Sequence, residues 1–236
     1  MVKPDIFDIF FDDHHRVYQP GQNVSGCVEL LLSKEIKARG VFLTIYGGAD
    51  THWTEQETHA HHSHGRHSRS GSRSVTVHYR SREVYIDSSV MLWGNGNAQM
   101  IPPGRYSLPF SVCLPHLCLP SFQGNMGKIQ YYCQAKIDRP WRFDHKVKEM
   151  FTVLTIYDLN LSPMTAVGVS AEDSKSLGCC CCVDGTVYFQ ANIPKTGFVP
   201  GECIKVNLHL DNRSNRPMHS FEIYLLQVVS YTAARE

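Results

Sequence analysis

One segment of this chain occurs twice, and the repetition limits the architecture more than any other feature. Val17–Leu32 reads V-Y-Q-P-G-Q-N-V-S-G-C-V-E-L-L-L, and Gly197–Asp211 reads G-F-V-P-G-E-C-I-K-V-N-L-H-L-D. Pro20-Gly21 falls on Pro200-Gly201, 180 residues later, and without a gap Val24, Val28 and Leu30 fall on Ile204, Leu208 and Leu210. The same offset carries Val41, Leu43 and Ile45 onto Phe221, Ile223 and Leu225. Two strands and their connection recur as a unit. Repeats of a solenoid return every ~20–50 residues, so a separation this long means two similar domains. The expected division is a first domain over 1–158, a connector over 159–183 and a second domain over 184–236. In 236 residues the first copy has room for a full core, whereas the second is expected to hold only opening strands.

The ordered stretches alternate with period two, as half-buried strands do. Val24, Gly26, Val28, Leu30 and Leu32 share a face, as do Val41, Leu43 and Ile45. Ile129, Tyr131, Cys133, Ala135 and Ile137 alternate with polar neighbours over Lys128–Asp138. Shorter strands are expected at Ile6–Phe11, Val75–Ile86, Ser89–Trp93, Tyr106–Leu114 and Val147–Ile156, and in the second copy at Val187–Ile193, Ile204–Leu210 and Phe221–Val229. Pro109 marks its own strand as an edge or a bulge. No segment repeats at 3.6 residues. Strands separated by Gly/Pro turns make the fold class all-β, built of immunoglobulin-like sandwiches, the first complete and the second truncated. Two stretches break the pattern. Thr51–Ser74 reads as a polar loop, and Ser162–Cys182 as a small-residue connector.

The net charge of +1 offers no general attraction for nucleic acid. The first residues carry acids and no sustained apolar run, so no signal peptide is read there, and no stretch has the ~18 apolar residues of a membrane helix. The nine cysteines are therefore expected to be reduced in the cytoplasm, and the sequons at Asn23, Asn160 and Asn212 to be unused.

Met100–Trp141 carries a more specific signal: M-I-P-P-G-R-Y-S-L-P-F-S-V-C-L-P-H-L-C-L-P-S-F-Q-G-N-M-G-K-I-Q-Y-Y-C-Q-A-K-I-D-R-P-W. With Tyr18-x-Pro20-Gly21, Val24-Ser25-Gly26 and Gly48-x-x-x-x-Trp53-Thr54-Glu55, it resembles the α-arrestins, the arrestin domain-containing proteins, from about Phe7 to Glu236. The resemblance implies an arrestin fold of two β-sandwiches, with Ile6–Phe11 at a sheet edge, where a cargo segment would add as a strand, or else dock in a concave sheet face. It also implies a non-catalytic adaptor in protein transport: cytoplasmic segments of membrane receptors or transporters as partners, and endocytosis with ubiquitination as the outcome. Localisation would be cytoplasmic, with recruitment to plasma membrane or endosomes. Retromer-type arrestin folds share the two-sandwich plan, but the Met100–Trp141 pattern fits α-arrestins better. The chain departs from the family in lacking a P-P-x-Y motif, so a ubiquitin ligase would be reached indirectly or through a missing tail. It also has no basic residue in Met150–Tyr157, where phosphate-sensing arrestins carry an arginine.

No catalytic motif is present: no G-x-S-x-G, Walker A, H-E-x-x-H or G-x-G-x-x-G. No cofactor is called for. His59, His61, His62, His64 and His67 are candidate ligands for zinc, copper or nickel. They lack the fixed geometry and cysteine partners of a structural site, and ordering them costs entropy, so a surface insertion is the favoured reading. Arg66, Arg69 and Arg73 in the same stretch suit phosphates or lipid headgroups, against a solvated loop. Cys179, Cys180, Cys181 and Cys182 are candidates for S-acylation and peripheral membrane contact, against burial as small hydrophobes. Cys27, Cys113, Cys118, Cys133 and Cys203 read as packing residues. Asp138-Arg139-Pro140-Trp141 can present Trp141 to a partner, though the favoured reading has Trp141 covering the end of the sandwich. The alternative functions are a metal-binding or redox-responsive protein using the His stretch and the Cys run, or a truncated form without independent activity.

Overall fold

The computed structural model describes residues 3–61, 71–179 and 182–235; of 59–61, 71–73, 179 and 182–184 it describes the backbone alone. The chain divides into two units, Met1–Ile156 with Val229–Glu236, and Tyr157–Val228. Among the described residues there is no α-helix, only two short 3-10 turns at Leu159–Leu161 and Pro163–Ala166.

The first unit is a sandwich of two sheets. Strands β1 (Ile6–Phe11), β3 (Asn23–Leu32) and β6 (Gly104–Cys113) form one sheet in the order β1-β3-β6. The other sheet is built on β4 (Ile36–His61), β5 (Gly71–Ile101), β8 (Gly127–Asp138) and β9 (His145–Val153). It is extended by β2 (Val17–Tyr18), which pairs in parallel with β9, by β7 (Phe122–Gln123) on β8, and by β13 (Ala234–Arg235) on β5. In the first sheet β1 and β6 are the edges, and since β6 carries Pro109, the edge reading of that proline is favoured over the bulge.

Alternation sets the core. On β3, Val24, Gly26, Val28, Leu30 and Leu32 are buried while the residues between them are not. They meet Val41, Leu43 and Ile45 of β4 and Tyr131, Cys133, Ala135 and Ile137 of β8 in two apolar clusters. Phe7 and Leu108 pack against both clusters and join them. Phe11, Tyr18 and Phe151 close one end in mutual contacts at 5.5–6.3 Å between ring centroids, within the range where aromatic pairs attract. The Tyr131 hydroxyl is satisfied by donating to the Leu119 carbonyl at 2.6 Å. Gly26 lies where a Cβ would collide with the Phe10 carbonyl oxygen across the β1–β3 pair, so this position must stay bare for the strands to pair.

The second unit is an open three-stranded sheet, β10 (Val169–Cys179), β11 (Cys182–Ile193) and β12 (Asn207–Asn212), all antiparallel. Val187 is its one buried hydrophobic residue among those described.

Three expectations are corrected. The stretch Thr51–Ser74 is not simply a loop, because β4 runs on to His61 and β5 begins at Gly71 in one register. The connector 159–183 contains β10, whose backbone pairs with β11 from Val169↔Ile193 to Cys179↔Cys182. The repeat is also incomplete in structure: Phe221–Val229 forms no strand, and Phe221 and Leu225 are 63% and 87% exposed. Their counterparts Val41 and Ile45 lie between β5 and β8, which pair with both sides of β4. A strand needs such partners for its N–H and C=O groups.

Leu43→Ala should destabilise the first unit by about 2–5 kcal/mol, as removal of a buried leucine does. Gly26→Ala should cost about 1–3 kcal/mol through the β1–β3 collision. Urea unfolding followed by tryptophan fluorescence reads both.

Candidate interaction surface

Three features of the first unit project from the sandwich. The first is the free edge of β1. It pairs with β3 on one side only, and its outer positions carry Ile6, Asp8 and Phe10, with Phe10 52% exposed. Asp5, Asp12 and Asp13 flank it, so the edge is acidic. Backbone N–H groups of His15 and Val17 donate to Asp13 at 3.0 and 3.1 Å. These two bonds hold the Asp13 carboxyl below the usual carboxylate range.

The second feature is the long β4–β5 arm. Pairing of β4 with β8 ends at Thr51, and beyond it β4 continues to His61 paired with β5. Cross-strand rings stiffen the polar arm: Trp53 stacks on Tyr79 at 5.3 Å and His52 on His78 at 6.1 Å. Arg235 forks onto Glu57 at 3.1–3.2 Å where β13 joins β5.

The third feature is the turn from β8 to β9, residues 139–144. Arg39 forks onto Asp138 at 2.7 and 2.9 Å, the Arg139 backbone N–H donates to Asp144 Oδ1 at 3.1 Å, and Arg139 Nη1 donates to His145 Nε2 at 2.8 Å. Arg139 is buried, and that burial, with the charge of Arg142 behind it, holds its guanidinium below the ordinary arginine range. Trp141 is fully exposed, with φ at 60°, and Phe143 is 84% exposed. The expected cover over the sandwich end is thus corrected: the left-handed backbone at Trp141 turns the indole outward, and the buried member of the motif is Arg139. Arg39, Asp138, Trp141, Phe143 and Asp144 line an open groove of about 840 Å³.

The outward face of the large sheet carries rings under cations. Lys148 Nζ sits 3.5 Å from the centre of the Tyr132 ring, and Arg82 lies over Tyr46 while donating to its hydroxyl at 3.0 Å. That hydrogen bond raises Arg82, whereas burial and then Lys128 lower Lys148.

Of the residues singled out in the sequence, His62, His64, His67, Arg66, Arg69, Cys180 and Cys181 lie outside the described residues. His59, His61 and Arg73 are placed by backbone on β4 and β5, and Cys179 and Cys182 on β10 and β11. Among the described residues no cluster of His, Cys, Asp and Glu has the geometry to hold a metal. The single cysteines are not uniformly packing residues. Cys118 and Cys133 are buried and Cys27 is half-buried, but Cys113 and Cys203 are exposed. Burial pushes the Cys133 thiol up to about 12, and raises Cys118 despite the Tyr131 hydrogen bond. The acidic β1 edge and Phe143 are features that sequence reading did not single out. Hydropathy alone does not report which face Phe10 and Phe143 occupy.

The family model for the arrestin (or S-antigen) N-terminal domain matches residues 7–160, and that for the arrestin C-terminal domain matches residues 183–236. The chain is 31% identical to arrestin domain-containing protein 17 of Caenorhabditis elegans over 92% of its own length. It is 29% identical to arrestin domain-containing protein 1 of Rattus norvegicus over 100% of its length. It spans about half the length of these curated relatives, 50% and 49%. A solved structure, the sporulation control protein Spo0M of Bacillus subtilis, aligns over 88% of this chain and 79% of its own at 13% identity and a TM-score of 0.41.

The thiols supply a check on the packing. In a short maleimide pulse at mildly alkaline pH, Cys113 and Cys203 should label at least about a hundredfold faster than Cys118 and Cys133, because the reactive species is the thiolate and burial suppresses it. Peptide mapping by mass spectrometry reads the pattern, and urea should abolish the difference.

Proposed function

Because this chain belongs to the arrestin family, in its α-arrestin branch, we propose that it acts as a non-catalytic adaptor for cytoplasmic segments of membrane receptors or transporters. The finer role is endocytosis and ubiquitin-linked sorting of that cargo, with a ubiquitin ligase reached through other proteins or other segments. The observation that carries the recognition step is the free edge of β1, with Ile6, Asp8 and Phe10 outward and no strand on its far side among the described residues. An extended cargo segment adds to such an edge through main-chain hydrogen bonds, and side-chain contacts at alternate positions select it. Phe10 supplies the apolar contact. Asp5, Asp8, Asp12 and Asp13 favour a basic or neutral segment and repel a phosphorylated one. This agrees with the lack of a basic residue in Met150–Tyr157. The site of action is the cytoplasmic side of the plasma membrane or endosomes.

Proximity labelling in cells with the 236-residue chain as bait tests the reading. Receptors, transporters and endocytic adaptors are expected among the labelled proteins, and Phe10→Asp should reduce them several-fold. Phe10 is half-exposed, so the change should cost no more than about 1–2 kcal/mol of folding stability. A labelled set dominated by chaperones and proteasome components, the same for both baits, would overturn the adaptor reading.

A further inference from the structure

The β8–β9 turn combines three properties that the adaptor reading does not use. Its tip exposes two aromatic side chains, Trp141 and Phe143, separated by Arg142. A single exposed apolar residue is ordinary, but two large rings at one tip leave several hundred Å² of apolar surface in water, at ~150–250 Å² each. Its neck is fastened on both sides, by Arg39 on Asp138 and by Arg139 on Asp144 and His145. The rings therefore stand on a firm base, with Trp141 held at a left-handed φ of 60° that bulky residues rarely adopt.

The third property is charge. Lys136 and Lys146 lie directly opposite one another on β8 and β9, and Lys148 faces Gln134 one step further along the same face. Like charges in directly opposed positions are unfavourable in a free sheet. Neither Lys136 nor Lys146 belongs to the neighbouring ion pairs Arg39–Asp138 and Arg16–Glu149, and Lys136 lies over the Phe42 ring at 5.5 Å. Lys146 follows Phe143 by three residues, about 10 Å of extended chain at ~3.3 Å per residue. That is the scale over which an anionic surface attracts a cation at physiological salt, and also the depth to which interfacial side chains enter a bilayer. With Arg142 and Arg39, the cations at this end outnumber Asp138 and Asp144.

We propose that the β8–β9 turn is a membrane-insertion tip, with Trp141 and Phe143 entering the headgroup layer of an anionic bilayer while Arg142, Lys136 and Lys146 face its lipid phosphates. Tryptophan suits that layer because its ring is apolar and its N–H remains able to hydrogen-bond. The lipid surface relieves the Lys136–Lys146 repulsion and covers the rings in one step. A folded protein groove of matching charge is the other conceivable occupant, and vesicles containing lipid alone exclude it. The inference does not rest on the cargo reading, since no cargo is present in the test.

The experiment is sedimentation of the 236-residue chain with vesicles of phosphatidylcholine alone, and of phosphatidylcholine containing about a third phosphatidylserine. Binding is expected to the anionic vesicles only, to weaken in about 0.5 M salt, and to fall about tenfold or more in W141A/F143A. Lipid addition should shift tryptophan emission to the blue in the wild type and not in W141F, with Trp53 and Trp93 present in both. K136E/K146E should lose binding while keeping about the wild-type urea midpoint, because one opposed pair of like charges replaces another. Equal binding to neutral vesicles that survives W141A/F143A would overturn the proposal and place the contact at another apolar stretch, such as the exposed Phe221–Val228. Binding lost in K136E/K146E but untouched by W141A/F143A would overturn insertion in favour of purely electrostatic adsorption. Absence of binding to either vesicle would overturn it outright.

Discussion

The contact between the inward face of β3 and the inward faces of β4 and β8 is the constraint on which the rest depends. Val24, Val28 and Leu30 meet Leu43, Ile45, Tyr131, Cys133 and Ala135 or their neighbours across the two sheets. Because side chains alternate with period two, a slip of one residue would turn all of these outward. Register is therefore fixed, and with it the identity of every outward residue. Tyr46, Tyr132, Lys136, Lys146 and Lys148 are external because Ile45, Tyr131, Cys133, Ala135 and Val147 are not. The surface chemistry of the large sheet is the complement of its core.

Much of this was legible in the sequence where burial itself sets the pattern. The inward residues of β3 and β8 could be read off directly, since each strand is covered on one face and wet on the other. Reading failed where other forces act. Thr51–His61 is polar, and its strand is held by backbone pairing to β5 and by the Trp53–Tyr79 and His52–His78 stacks, which hydropathy does not register. The segment Ser170–Ser176, S-A-E-D-S-K-S, gives no apolar alternation, yet its backbone finds a partner in β11. Phe221–Val229 shows the converse, a strand-like pattern that does not become a strand where no neighbouring strand pairs with it. Propensity proposes a strand, but pairing decides it.

The interaction features follow a similar division. That β1 is an edge was an expectation resting partly on the family resemblance, but its exposed Phe10 could not be separated from the buried Ile9 and Phe11 within the run I-F-D-I-F-F. The motif Asp138-Arg139-Pro140-Trp141 was visible, and its orientation was not. A tryptophan would ordinarily be buried before an arginine, because desolvating a guanidinium is costly. Here the order is reversed: Arg139 is inside, held by His145, and Trp141 is outside on a left-handed backbone. Local backbone geometry overrides side-chain hydropathy at this turn.

The two proposed contacts differ in sign and belong to one unit of the chain. The β1 edge is acidic and the β8–β9 turn is basic, so an anionic bilayer attracts the second and not the first. A cargo segment emerging from that bilayer is tethered to the same surface as the turn. Weak insertion at the turn raises the effective concentration of the β1 edge near such segments, and strand addition in turn holds the rings in the lipid. Neither contact has to be strong. A two-ring insertion is marginal by itself and so is addition of one short strand, but linked contacts multiply in affinity provided that one geometry satisfies both. The selectivity of such a device lies in the coincidence of membrane charge and cargo sequence, and it requires no deep pocket on the sandwich.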